Sequence, residues 1–254
     1  MWDPNQYQRY SDERSRPFYD LVGRIRVRGP HLVYDLGCGP GALTASLARR
    51  WPSAQVVGVD NDPAMLASAA AHAGDRVSFR RGDLATFLPP AETDVVVSNA
   101  AYHWVDGHTV VLERIAAQLP DHGALAIQVP GNFSAPSHAI VRELLAEPTW
   151  ARRLPNLPQR ADPVRSALEY GELFARQGLA VDTWETTYNQ VLPGEDPVLE
   201  WVKGTVLRPV LDALDEAQQV ELLTELGPRL RGAYPATQAG VVFPFRRIFA
   251  VGHR

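Results

Sequence analysis

The chain has 254 residues, 45% hydrophobic and 21% charged, with a net charge of −4. That is enough for one large domain, or one domain with a cap, and the negative balance argues against a nucleic acid held by bulk charge. No run of about 18 apolar residues predicts a membrane span, the opening MWDPNQYQRYSDERS lacks the apolar centre of a signal peptide, and the lone Cys38 cannot form an internal disulfide, so the cytoplasm is the expected compartment.

Residues 2–14 are polar and aromatic, with Trp2, Tyr7 and Tyr10 among Asp, Gln and Arg. They read either as a flexible arm or as a flap over a ligand. A helix is expected next, with Ser15 as its N-cap and Pro17 in its first turn. Phe18, Leu21, Val22 and Ile25 mark its buried face at helical spacing.

Residues 32–60 then read as strand, glycine loop, helix, strand. Leu32 to Leu36 is a short apolar run, as in a buried parallel strand. Gly37, Gly39 and Gly41 follow at once. A helix carries Leu43, Leu47 and Ala48 on one face and stops at Trp51-Pro52, because proline cannot continue it. The second strand, Val56 to Val59, ends on Asp60. Glycines let the backbone turn sharply and let a ligand approach it. A helix start offers free N–H groups. An acidic residue ending the second strand suits the two hydroxyls of a ribose. The stretch therefore predicts an adenosine-bearing cofactor at the carboxyl ends of parallel strands.

The string Gly37 to Ala42 satisfies the dinucleotide pattern G-x-G-x-x-G/A, so an NAD(P)-dependent oxidoreductase is one reading. Asp35 weighs against it, since a pyrophosphate would meet a negative charge there. A cofactor with an amino-acid end brings an ammonium group that can use this carboxylate. The order D-L-G-C-G-P-G resembles the first motif of class I methyltransferases, which use S-adenosylmethionine.

Asp62-Pro63 starts the next helix, with Met65, Leu66, Ala69 and Ala70 toward the sheet. Met65 reads as core or as an adenine contact. Val77 to Arg80 forms a third strand, and Asp83 after it reads as a turn residue or as a partner of the adenine amino group, with Leu84 beside it. The fourth strand, Asp94 to Ser98, opens onto Asn99-Ala100-Ala101-Tyr102-His103-Trp104. His103 there can be a general base, a donor to a substrate carboxylate, or a packed ring. A helix at Thr109–Leu119 and a strand at Ala124–Val129 complete a parallel half. Residues 130–165 contain six prolines and little periodicity, and read as an insertion without regular structure. A helix at Ser166–Gln177 and a strand at Leu179–Val191 follow. Residues 193–240 are a second insertion, mostly helical, with Leu211, Leu214, Leu222, Leu223 and Leu226 on its apolar side. Val241–Val251 is the last strand. The two insertions are expected to form a lid. No metal-ligand spacing of Cys or His occurs.

Several segments outside the glycine motif support a narrower resemblance: YQRYSDERSRP from Tyr7, RWPSAQVVGVDNDPAML, SNAAYHWVDGH, QVPGNFSAPSH, DTWETTYNQVL, EWVKGTVLRP and FPFRRIFAV. Along nearly its whole length the chain resembles the trans-aconitate methyltransferases, a family of class I methyltransferases. The resemblance implies an α/β, Rossmann-like fold: a mostly parallel seven-stranded sheet with an antiparallel last strand, plus helical lid insertions. It implies one methyltransferase domain over 1–254, with a cofactor-binding core at 15–129 and acceptor-binding insertions at 130–165 and 193–240. It also implies methyl transfer from S-adenosylmethionine to one carboxylate of a small tricarboxylate, giving a monomethyl ester.

A carboxylate is already ionised near pH 7, with a reference pKa of about 4, so this reaction needs no general base. The remaining carboxylates need Arg partners. The cofactor candidates are Tyr10, Arg14, Asp35, Gly37, Cys38, Gly39, Gly41, Asp60, Asn61, Met65, Asp83, Leu84 and Asn99. The acceptor candidates are Arg16, Tyr188, Trp201, Lys203, Thr205, Arg208 and Arg247, with Arg246 beside them, and His103 and Trp104 stand nearest the chemistry. A different acid or a hydroxyl acceptor is the alternative within the same class, with His103 as the base that a hydroxyl would need.

Overall fold

The computed structural model describes residues 11–155 and 164–254. Its centre is one sheet in the order β3-β2-β1-β4-β5-β8-β6, with a short β7 pairing on β8. The strands are β1 (Leu32–Leu36), β2 (Gln55–Asp60), β3 (Val77–Arg81), β4 (Val95–Asn99), β5 (Ala124–Pro130), β6 (Ala180–Leu192), β7 (Ala236–Thr237) and β8 (Gly240–His253). β1 to β5 are parallel. β8 inserts antiparallel between β5 and β6, as the resemblance implies.

Side chains alternate across each strand, and this divides the interior in two. One face carries Val33, Val56, Val95, Val97, Ala124, Ala126, Phe249 and Val251. It packs under α1 (Ser11–Gly23) and α2 (Ala42–Arg50) through Phe18, Leu21, Val22, Leu47 and Ala48. The other face, with Tyr34, Val96, Leu125, Ile127 and Ile248, packs on α4 (His108–Gln118) and α7 (Ala167–Arg176). The α3 helix (Pro63–Ala69) follows β2, capped by Asp62 with Pro63 in the first turn as expected.

Two expectations are corrected. The first helix is already formed at Ser11, so Ser15 is an interior residue and Pro17 lies inside the helix. The polar run before Pro17 has no apolar period to mark it, and the buried ring of Phe18 with Leu21 and Val22 anchors the helix despite the proline. Residues 130–165 are not irregular over their described length: they hold α5 (Pro136–Ala146) and α6 (Pro148–Arg153). Pro136 and Pro148 sit at helix starts, where the missing N–H costs nothing and the fixed φ helps.

The second insertion forms α8 (Pro197–Lys203), α9 (Arg208–Asp212) and α10 (Glu216–Ala233). The two insertions share one core, in which Val141, Leu144 and Trp150 meet Trp201, Val202, Leu222 and Leu226. Polar ties reinforce it. The Trp150 indole donates to Glu225, and Arg153 and Arg229 pair with Glu221 and Glu147. This helical layer sits on Leu192, Phe243 and Phe245 of β6 and β8. β8 pairs with β5 only from Arg247 to His253, whereas its pairing with β6 continues back to Val241. The β6–β8 ribbon thus overhangs the sheet by roughly 20 Å and carries the layer. Among the described residues no helix is long and apolar enough to cross a membrane.

Candidate functional site

The glycine loop links β1 to α2. The N–H groups of Gly37 and Cys38 donate to the Val59 carbonyl at 2.8 and 3.1 Å, which folds the loop back over β2. Gly37 and Gly41 have φ of 82° and 84°, a region that favours glycine. A Cβ at Gly37 would lie 2.2 Å from the Ala101 side chain, and one at Gly41 2.7 Å from the Phe79 ring. Two neighbouring elements thus press on the loop. Cys38 is buried, and burial with the Asp35 and Asp60 charges pushes its thiol pKa up, away from a reactive thiolate.

The three acidic candidates differ. Asp60 ends β2; its Oδ2 accepts from Gly39 N–H at 2.9 Å and its Oδ1 from Asp62 N–H at 3.0 Å. Each oxygen keeps a lone pair for a further donor. Asp35 is 3% exposed, and Thr44 Oγ1 donates to its Oδ2 at 2.6 Å. Burial raises its pKa from 3.8 to about 6, the Thr44 bond opposes this, and the Asp60 charge adds to it. Asp83 is exposed and receives Ala85 N–H at 2.9 Å. Asn61 is exposed, and Met65 and Leu84 are buried. Tyr10 lies outside the described residues, and of the Arg14 position the structure gives the backbone, within α1.

Register places the other groups. Asp60, the Gly37 position, Asn99, Gln128 and Phe249 form one row across β2, β1, β4, β5 and β8, on the face covered by α1 and α2. Asp35 is one step below the row. Arg247, opposite Pro130, is one step above it, where the overhang begins. Arg247 is 5% exposed, and its guanidinium lies 4.2 Å from the Phe245 ring centroid. Arg16 of α1 stands 5.1 Å over the Tyr188 ring. The Tyr188 hydroxyl donates to Asp20 at 2.6 Å, and burial, then this bond, raises its pKa, while the Arg16 and Arg247 charges oppose the rise. The structure therefore brings Arg16, Tyr188 and Arg247 together beside the row. Arg246 points to the opposite face and pairs with Glu185.

His103 is buried, 4.6 Å from the Trp104 ring and 6.4 Å from Phe133, whereas Trp104 is 59% exposed. Trp201, Lys203, Thr205 and Arg208 belong to the helical layer. Trp201 packs on Phe243 and Phe245; Lys203 bonds Glu200, Thr205 donates to the Trp201 and Val202 carbonyls at the end of α8, and Arg208 stands 4.0 Å from Asp212.

Two buried amides escaped the sequence reading. Gln128 and Gln190 each have both amide atoms buried with no hydrogen-bond partner among the described residues, as has Asn99 Oδ1. The available signal for Gln128 was a single polar residue in the apolar run ALAIQVP.

A family model described as a methyltransferase domain matches residues 33–123. The chain is 48% identical, over 100% of its length and 97% of the other's, to a trans-aconitate 2-methyltransferase of Streptomyces avermitilis. It is 50% identical to a second, of Rhodococcus jostii, over 99% of this chain and 98% of that one. The chain belongs to the trans-aconitate 2-methyltransferase family. The fold agrees with a solved structure, the YcgJ protein from Bacillus subtilis, at a TM-score of 0.59, 18% identity, and 94% and 98% coverage of the two chains.

This membership makes S-adenosylmethionine the cofactor, and the glycine-loop residues fit it. Asp60 has acceptor capacity for a ribose. Asp35, buried and raised in pKa, gains from a nearby ammonium, which favours its charged form. Asn99 Oδ1 lies between them and Gln128, buried and in want of a donor.

Proposed function

We propose that the protein transfers a methyl group to one carboxylate of trans-aconitate and yields the monomethyl ester. The identity of 48–50% over the full length with two proteins named for that activity carries this reading. The placement of Arg247 supports it: a cation buried at the carboxyl end of the sheet favours an anionic acceptor.

When bound, S-adenosylmethionine would supply an electrophilic methyl to an acceptor carboxylate that is already ionised, so the protein need remove no proton. The protein's work is then positioning and exclusion of water. Asp60 holds the ribose hydroxyls, and Asp35 holds the ammonium. Gly37, Cys38, Gly39 and Gly41 let the loop backbone approach the ligand, and Asn61, Met65, Asp83 and Leu84 line the adenine end. Arg247, with Arg16 across the Tyr188 ring, holds carboxylates that are not methylated. His103, packed between Trp104 and Phe133, shapes the crevice and donates to the acceptor. The insertions at 130–165 and 193–240, with Trp201, Lys203, Thr205 and Arg208, close over the acceptor as a lid, while residues 15–129 carry the cofactor.

The test is incubation of the purified protein with methyl-labelled S-adenosylmethionine and a panel of di- and tricarboxylic acids. Base-labile label on trans-aconitate supports the reading. Base-stable label on a hydroxyl acceptor, at a rate that rises with pH and is lost in His103→Asn, replaces it with the base-catalysed alternative.

A further inference from the structure

Gln128 stands in the centre of the sheet, 1% exposed, with neither amide atom hydrogen-bonded among the described residues. Buried amides in folded proteins are almost always paired, and one without a partner among the described residues has hydrogen-bonding capacity to offer a ligand. Its place narrows what that partner is. Gln128 is in register with Asn99 on one side and Phe249 on the other, and Arg247 lies diagonally across, two residues along β8. Such diagonal neighbours are about 7–8 Å apart at the backbone. Asp60 is three strand spacings away, roughly 14 Å. Gly37 and Asn99 lie between Asp60 and Gln128 in the row, so a nucleoside held at Asp60 would leave Gln128 on its far side, free for the acceptor.

We infer that Gln128 binds the acceptor and orients the carboxylate that becomes methylated, while Arg247 holds a second one. This rests on the reading of the protein as a carboxylate methyltransferase. The division of labour follows from charge. A guanidinium paired with the attacking carboxylate would draw electron density from the oxygen that must form the bond. A neutral amide N–H fixes one oxygen and leaves the other nucleophilic. The separation of Gln128 from Arg247 matches a small tricarboxylate, whose carboxylates lie a few bonds apart. The amide donates a hydrogen bond only, and no proton moves.

The experiment compares wild type and Gln128→Met, which keeps an unbranched side chain of similar length. Three quantities are read: kcat/KM for trans-aconitate, the Kd of S-adenosylhomocysteine by calorimetry, and the thermal midpoint. The expected result is a fall of about 10–100-fold in kcat/KM, a Kd within about twofold, and a midpoint unchanged or raised, since the amide has no partner among the described residues to lose. A second arm reads, in wild type and Gln128→Met, the inhibition constants of glutaconate, mesaconate and itaconate, each of which lacks a different carboxylate of trans-aconitate. Gln128→Met should leave the constant of the analogue whose missing group the amide binds within about twofold, and weaken the other two by its full factor. Should the methionine variant not fold, Gln128→Leu serves for both arms. Unchanged kinetics, an equal loss with all three analogues, or a loss of S-adenosylhomocysteine affinity in parallel with activity overturns the inference while leaving the reaction standing. Absence of labelling of every acid by the wild type overturns the reaction itself, and the inference with it.

Discussion

Burial pushes the Asp35 carboxyl up to about 6, with the Asp60 charge adding to the rise and the Thr44 hydroxyl opposing it. The unfolded chain gives up this proton near pH 3.8 and the folded protein near 6. The folded state therefore binds more protons between these values, and stability falls as pH rises through them. Above the window the cost is about 3 kcal/mol. Asp35→Asn should thus match the wild type near pH 4 and become more stable than it by pH 7, measured by urea unfolding at both. An ammonium ligand reverses the balance by favouring the ionised carboxyl. S-adenosylhomocysteine should accordingly bind the wild type more tightly as pH climbs from 5 to 7, a step that Asp35→Asn abolishes. Asp60→Ala should weaken the same ligand by about 1.5–3 kcal/mol at every pH, read by calorimetry. Both acids were legible in the sequence because a strand end next to glycines has few other uses for a carboxylate. Gln128 was not: a glutamine in an apolar strand becomes conspicuous only when the neighbours that fail to bond it are known.

The glycine loop makes a sharper claim at the scale of an element, because its glycines are not equivalent. Gly39 has φ of 53° but open space around a would-be Cβ, whereas at Gly41 that atom would meet both the Phe79 ring and the Ala69 side chain. Gly39→Ala should cost only the left-handed conformation, about 1–2 kcal/mol. Gly41→Ala should cost more, because Phe79 must also move, and it should weaken cofactor binding with it; denaturant midpoints of the two variants make the comparison. Elements defined by strong local signals were read well from sequence: α2 stops at Trp51 before Pro52, and Asp62 caps α3. The errors fell on prolines. Pro17, expected in a first turn, is interior, while Pro136 and Pro148, in a stretch expected to be irregular, begin helices. A proline's meaning depends on what its neighbours bury, which no short window contains.

For the molecule as a whole, the helical layer has its own core and is tied to the sheet through the β6–β8 overhang. Leu226→Ala, at a fully buried position of that core, should destabilise it by about 2–5 kcal/mol. With the lid role proposed for this layer, the variant should raise the trans-aconitate KM several-fold and leave the Kd of S-adenosylhomocysteine within about twofold. Equal damage to both would argue against a separate acceptor half. The order of the strands was legible because the glycine motif and the late strands belong to a recognisable pattern; the shared core of two insertions lying far apart in sequence was not, since their contacts are purely tertiary. The place of β8 has a temporal corollary. It follows every other described strand in the chain, yet it alone bridges β5 to β6, which do not pair with each other. As the polypeptide leaves the ribosome, β1 to β5 can assemble and present the glycine loop while β6 and the helices wait for a partner. The strand that then joins them brings Phe245 and Arg247 with it. On the proposed division of roles the acceptor half would arise last, in the same event that completes the sheet, and a product of premature termination would hold the nucleoside without a place for the group that takes its methyl.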